Sequence, residues 1–132
     1  MTGRTLSYSL RKDGETYLSP DFQVKEFACR DGSDKIMISL RLVHILQCIR
    51  DHFGKPVTVN SAYRTEAYNA TVGGAKASQH LRGTAADIAI KGVAPSAVAA
   101  YAETLLPNTG GIGRYETFTH VDVREGKARW TG

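Results

Sequence analysis

Cysteine is scarce in this sequence, with only Cys29 and Cys48 among 132 residues. One bridge at most is possible, which excludes a small disulfide-stapled scaffold, and both thiols are expected reduced. Charge of one sign is lacking too. Lys and Arg number 17 against 13 Asp and Glu, a net +4, with no run of five like charges and no basic stripe on a helix face. The six tyrosines are scattered rather than interleaved with Lys or Arg on one strand. That removes the aromatic-basic platform of a nucleic-acid binder, so no nucleic-acid partner is expected. No apolar run follows Met1, so neither a signal peptide nor a membrane span is expected. Internal repeats and low-complexity tracts are absent as well.

What is present is ordinary for a globular chain: 42% apolar and 23% charged residues. The length suits a single domain over residues 1–132, expected to be a monomer, with 1–20 as an N-terminal hairpin extension. The 13 glycines gather in the middle and end of the chain, which suggests a loop-rich α+β domain.

Periodicity divides the chain into elements. Leu6, Tyr8 and Leu10 alternate with polar residues, Asp13-Gly14 offers a turn, and Thr16 to Leu18 returns, which predicts a hairpin. Ser19-Pro20-Asp21 starts a turn or short helix carrying Phe22 and Phe27. Leu42, Ile45, Leu46, Ile49 and Phe53 recur at helical spacing, with Ser39 to cap the start and Gly54 to end it. Val57 to Val59 reads as a strand, and Pro95 to Leu106 as a second helix with Pro in its first turn. Further strands are predicted over Thr84 to Ile90, Gly111 to Tyr115 and Thr117 to Arg124, and Lys127 to Trp130 as a terminal hairpin strand after Glu125-Gly126. Together these predict a small antiparallel β-sheet with helices packed on one side.

The four histidines separate into pairs. His44 and His52 belong to the amphipathic helix and read as structural. His80 sits in a polar turn entering a strand, Asp87 lies within Ala85, Ala86, Ile88, Ala89 and Ile90, and His120 is flanked by Phe118 and Val121. A carboxylate in an apolar strand is costly unless it is paired or bound to a cation. Two imidazoles and a carboxylate are the ligand set of a catalytic zinc with its fourth position left to water. The other reading is an Asp87 hydrogen-bonded to backbone beside two unrelated histidines.

The wider string is more specific. Ser61-Ala62-Tyr63-Arg64 with Asn69, Ser78-Gln79-His80 with Gly83, Ala85 and Asp87, and Phe118-Thr119-His120-Val121-Asp122-Val123-Arg124 occur in order. This resembles the zinc D-Ala-D-Ala metallopeptidases, whose pattern is S-G-Y-R-x4-N, S-x-H-x2-G-x-A-x-D and a late H-x-D or H-x-H, and whose fold is shared with lysostaphin-type endopeptidases and the hedgehog signalling domain. The resemblance spans about residues 20 to 130. It implies that His80, Asp87 and His120 hold one zinc ion, that Arg64 binds the substrate carboxylate or polarises the scissile carbonyl, and that Ser78 hydrogen-bonds the substrate backbone. Gly83 falls on the family's glycine in the turn between ligands, where a side chain would block a backbone approach.

The chain departs from the best-studied members at the general base, where Thr117 stands in place of Asp or Glu. Glu116 is one residue further back, and Asp122 shares the strand face of His120. Asp122 is favoured over Glu116 as the base, and orienting the imidazole is its other possible role. The implied activity is zinc-dependent hydrolysis of amide bonds in peptidoglycan stem peptides, of carboxypeptidase or endopeptidase type. A protein made in the cytoplasm without a signal peptide would then reach the cell wall as a bacteriophage lysis or tail enzyme, or by another export route. The alternative is a catalytically silent zinc-containing wall-binding or phage structural module.

Overall fold

The computed structural model describes residues 4–132. Strand β1 (Thr5–Ser9) runs into a one-turn helix α1 (Leu10–Asp13), followed by β2 (Tyr17–Ser19), β3 (Phe22–Gln23) and a 3-10 turn at Val24–Phe27. Next come β4 (Lys35–Ser39), α2 (Leu40–Phe53), β5 (Thr58–Ser61), α3 (Glu66–Thr71) and a second 3-10 turn at Gln79–Arg82. The chain closes with β6 (Ala85–Ala89), α4 (Pro95–Leu105), β7 (Gly111–Arg114), β8 (Thr119–Asp122) and β9 (Ala128–Thr131).

Helix α2 forms where the spacing places it. Ser39 Oγ accepts from the Leu42 amide at 3.3 Å, and Gly54 closes the helix with φ of 63°, in the left-handed region that glycine tolerates. Its buried face, Leu42, Val43, Ile45, Leu46 and Ile49, meets Val98, Ala99 and Ala102 of α4 and the apolar side of the main sheet in one cluster. Pro95 opens α4 at its first turn, where the missing N–H would have no helical partner.

The main sheet has the order β5-β6-β8-β7-β9. Every pairing is antiparallel except β7 with β9, which is parallel. Its register decides where the chemistry lies. Ser61 pairs with Asp87, Asp87 with His120, His120 with Gly113, and Gly113 with Trp130. Paired residues share a sheet face, so this row runs across all five strands on one side. The flanking Ala86, Ile88, Val121 and Ile112 point the other way and are fully buried over the helices.

Two expected pairings are replaced. The Thr5–Leu18 hairpin does not form: β1 pairs with β4, Leu6 opposite Ile38 and Tyr8 opposite Ile36, while β2 pairs with β3. The Ser9 side chain caps α1 by accepting from the Lys12 amide, and Asp34 takes the Ser9 hydroxyl at 2.8 Å and the Arg11 amide at 2.9 Å. These contacts make a helical turn where a hairpin was expected. Of the expected extension over 1–20, residues 1–3 lie outside the described residues, and Thr5–Ser9 is stitched to the body through β4, a strand whose Ile36 and Ile38 are fully buried. The terminal strand differs as well. Both edges of β8 are already taken by β6 and β7, so β9 runs parallel along the remaining edge of β7 instead of folding back as a hairpin. Cys29 and Cys48 are unbridged, and among the described residues no helix is long and apolar enough to cross a membrane.

Candidate functional site

Three elements bring the site together. The 3-10 turn at Gln79–Arg82 carries His80, β6 carries Asp87 and β8 carries His120, and all three are at least nine-tenths buried. Ser78 caps the turn by accepting from the His80 amide at 3.1 Å. Gly83 ends it with φ of +74°, and a Cβ there would lie 2.3 Å from the Met37 carbonyl oxygen. The approach that demands glycine is thus to strand β4. One ligand-type atom from each of His80, Asp87 and His120 lies within 4.8 Å of the others.

The tautomers follow from the partners. His80 Nδ1 lies 2.7 Å from the Ala62 carbonyl oxygen, which can only accept, so Nδ1 carries the proton and Nε2 presents a lone pair. His120 Nε2 lies 2.8 Å from Asp122 Oδ2, so that nitrogen donates and Nδ1 faces inward. Both inward nitrogens meet the same carboxylate: His80 Nε2 is 3.3 Å from Asp87 Oδ2, and His120 Nδ1 is 2.9 Å from Asp87 Oδ1. Neutral imidazoles would aim lone pairs at carboxylate oxygens, which is repulsive. The cluster therefore calls for positive charge at its centre, either extra protons or one divalent cation. A nitrogen-nitrogen-oxygen donor set with its outer imidazole nitrogens tied to a carbonyl and a carboxylate fits zinc.

Electrostatics point the same way. Burial alone would raise the Asp87 pKa, but hydrogen bonds and charge from His120 and His80 hold it well below the usual carboxylate range. Burial would lower the His120 pKa, yet Asp122 and Asp87 keep it above the ordinary imidazole value. For Asp122, burial is likewise outweighed by His120 and Arg124, so its carboxyl stays ionised far below its ordinary pKa.

Arg64 reaches the same carboxylate. Its Nη2 is 3.7 Å from Asp87 Oδ2, while Nε donates to Ser61 Oγ at 3.3 Å and Nη1 to Asn69 Oδ1 at 3.2 Å. Asn69 in turn donates to the Ala75 carbonyl at 2.9 Å, so the asparagine of the sequence motif holds the guanidinium in place. A cavity of about 460 Å³ opens over the cluster, and Arg64, Ser78, His80, Asp87 and His120 all line it.

The two base candidates lie elsewhere. Glu116 and Thr117 are exposed and do not line the cavity. Asp122 is fully buried beneath His120, and both of its oxygens are engaged. Oδ1 accepts from the Gly111 amide at 2.9 Å and from Arg124 Nε at 2.8 Å, and Oδ2 from His120 and from Arg124 Nη2 at 2.6 Å. Among the described residues lining the cavity, Asp87 is the one carboxylate.

Sequence reasoning did not single out Tyr115, Arg124 or Trp130, which complete the wall. Trp130 lies with its ring 5.0 Å from that of His120, and Arg124 sits 5.3 Å over the indole. Arg124 was legible from its strand phase, two residues beyond Asp122. Trp130 was not, because its place depends on the parallel β7–β9 register.

No curated protein matches the chain. The signature of the family described as peptidase M15 matches residues 16–122, a stretch that contains His80, Asp87, His120, Arg64 and Ser78. With that match over most of its length and a His-Asp-His cluster fit for a metal ion, the chain belongs to the peptidase M15 family of zinc-dependent metallopeptidases, whose substrates are peptides.

Proposed function

We propose that this chain is a single-zinc hydrolase of peptidoglycan stem peptides, cutting an amide bond beside a D-amino acid in the D-Ala-D-Ala carboxypeptidase or endopeptidase mode. The observation that carries this is the convergence of His80 Nε2, His120 Nδ1 and the Asp87 carboxylate on one point, with an arginine 3.7 Å from that carboxylate. His80, Asp87 and His120 are the ligands in this reading. Zinc bound there supplies a water acidic enough to ionise near neutral pH and a Lewis acid for the scissile carbonyl.

The chain's own residues supply the rest. Arg64, preset by Ser61 and Asn69, offers a guanidinium to the carboxylate or carbonyl of the substrate. Ser78 spends its lone pair on the His80 amide and keeps its hydroxyl proton for the substrate backbone. Asp122 fixes the His120 tautomer and, sealed under the ring by Arg124 and the Gly111 amide, has no path to a water in the cavity. In this reading it is a positioning residue and not the general base.

A second reading is favoured by the absence of a carboxylate at position 117: a zinc-containing wall-binding module without turnover. Incubating the zinc-loaded protein with defined muropeptides and analysing the products by mass spectrometry separates the two. A chelator-sensitive loss of terminal D-Ala marks a carboxypeptidase, and a split stem or crosslink marks an endopeptidase. No product from any muropeptide, with zinc confirmed in place, removes the hydrolase reading and leaves the binding module.

A further inference from the structure

The cavity wall beside His120 is aromatic and carries one hydroxyl with an unspent proton. Gly113 follows His120 in the register row, and a Cβ on it would fall 2.5 Å from Trp130 Nε1, so the indole lies across β7 in space that only glycine leaves open. Trp130 Nε1 donates to the Tyr115 hydroxyl at 2.9 Å. An indole N–H is a donor only, so the phenolic oxygen accepts there and its own proton must point elsewhere. Among the described residues no acceptor takes that proton.

The Tyr115 ring has little freedom. It stacks on Phe118 with centroids 4.4 Å apart and planes 10° from parallel. Gly132, whose amide donates to the Arg114 carbonyl at 2.8 Å, is so close that a Cβ would lie 1.9 Å from the ring. Tyr115 therefore lines the same cavity as His80, Asp87 and His120 with a preset donor. The other hydroxyl there, that of Ser78, accepts from the His80 amide and also keeps its proton, which the reading above gives to the substrate backbone, so the carbonyl oxygen is left to Tyr115.

We propose that Tyr115 is a catalytic residue that donates a hydrogen bond to the scissile carbonyl oxygen as negative charge gathers on it, and that Trp130 is the positioning residue that aims it. This rests on the hydrolase reading above. When water adds to the carbonyl carbon, the electron pair of the C=O bond moves onto oxygen, and the phenol stabilises that oxygen while keeping its own proton. No bond to Tyr115 forms or breaks. Preset donors aimed at developing charge are among the largest contributors to such reactions. Tyr115 lies within the stretch matched to the family, and Trp130 reaches it from β9, beyond that stretch.

The test uses the zinc-loaded protein and three variants: Tyr115→Phe, Trp130→Phe and the double substitution. Each is read by zinc content, by kcat and KM on a pentapeptide muropeptide and a crosslinked muropeptide dimer, and by affinity for a phosphinate analogue of D-Ala-D-Ala. The phosphinate carries its charged oxygens on a tetrahedral centre. Tyr115→Phe is expected to keep one zinc, to lose about 100-fold in kcat with little change in KM, and to bind the phosphinate more weakly by a comparable factor. Trp130→Phe moves the same quantities less far, and the double variant is no worse than Tyr115→Phe alone. Wild-type kcat and phosphinate affinity in Tyr115→Phe overturn the proposal, as does loss of zinc from that variant. A multiplicative double variant overturns the role of Trp130. A wild type that cleaves nothing, yet binds the phosphinate in a Tyr115-dependent way, ends the hydrolase reading and keeps the hydrogen bond. A wild type that neither cleaves nor binds overturns both.

Discussion

Replacing Asp122 by asparagine separates a positioning role from a general base. An amide still accepts from His120 Nε2 but leaves Arg124 without its charged partner, and its N–H end can hold the ring in the wrong tautomer. Zinc affinity is expected to fall about 10- to 100-fold in Asp122→Asn, read by competition with a chromophoric chelator. Unchanged zinc affinity with a collapse of kcat would return the base role to Asp122. His120→Ala is expected to lose the metal altogether, and stoichiometric zinc in that variant would remove His120 from the ligand set. At this scale the sequence was informative: an ionisable residue among small apolar neighbours marks its own anomaly, and Asp87 and His120 are buried where the pattern placed them. What a linear string does not carry is which nitrogen of each ring faces the centre. That depends on Ala62 and Asp122 meeting the far side of each imidazole.

Among elements, the turns and the last strand hold the site in shape. Gly83→Ala combines a left-handed φ with a Cβ against the Met37 carbonyl, and is expected to cost about 2 kcal/mol or more, read as a lowered urea midpoint. A midpoint equal to wild type would show that the 3-10 turn and β4 part easily. Arg129 binds β9 to the end of α4. Its Nε donates to Glu103 at 2.5 Å, Nη1 to the Gly110 carbonyl at 2.6 Å, and Nη2 to the Leu106 carbonyl. Arg129→Met leaves those carbonyls without a charged donor and is expected to destabilise by about 2 kcal/mol. It also loosens the adjacent Trp130, so its intrinsic fluorescence shifts before global unfolding in a urea series. Coincident transitions would show that β9 is held without Arg129. Helices α2 and α4 were legible because each carries its own periodicity and its own terminator. Strands β1 and β9 were misassigned in their partners because pairing is a long-range choice: β1 found the buried Ile36 and Ile38 of β4, and β9 took the only edge left beside β7.

For the whole molecule, a metal that bridges the turn, β6 and β8 couples site and fold. A ligand bound only by the folded state at a thousandfold over its Kd adds about 4 kcal/mol to stability. Chelation is therefore expected to lower the Tm by roughly 10 °C, and to leave the Tm of His120→Ala unmoved. Equal chelator sensitivity in both would place the metal elsewhere. Because Trp130 is the only tryptophan and its ring is 5.0 Å from that of His120, zinc titration is also expected to change the fluorescence of the wild type.

Read alone, the sequence places α2 and α4 and marks Asp87 and His120 as anomalies, and its ordered motifs group His80 with them through their resemblance to a known family. The helices are written in local spacing and capping chemistry, Asp87 and His120 stand out by the cost of placing charge among apolar neighbours, and the grouping of the three rests on the resemblance carried by the ordered motifs. Only the folded chain shows that Asp122 lies sealed beneath His120, that Gly83 faces Met37, and that Trp130 hydrogen-bonds Tyr115 at the cavity wall. The places of Asp122 and Trp130 follow from strand register, since sliding a strand by one residue sends every side chain to the opposite face of the sheet, and that of Gly83 from the packing of the 3-10 turn against β4.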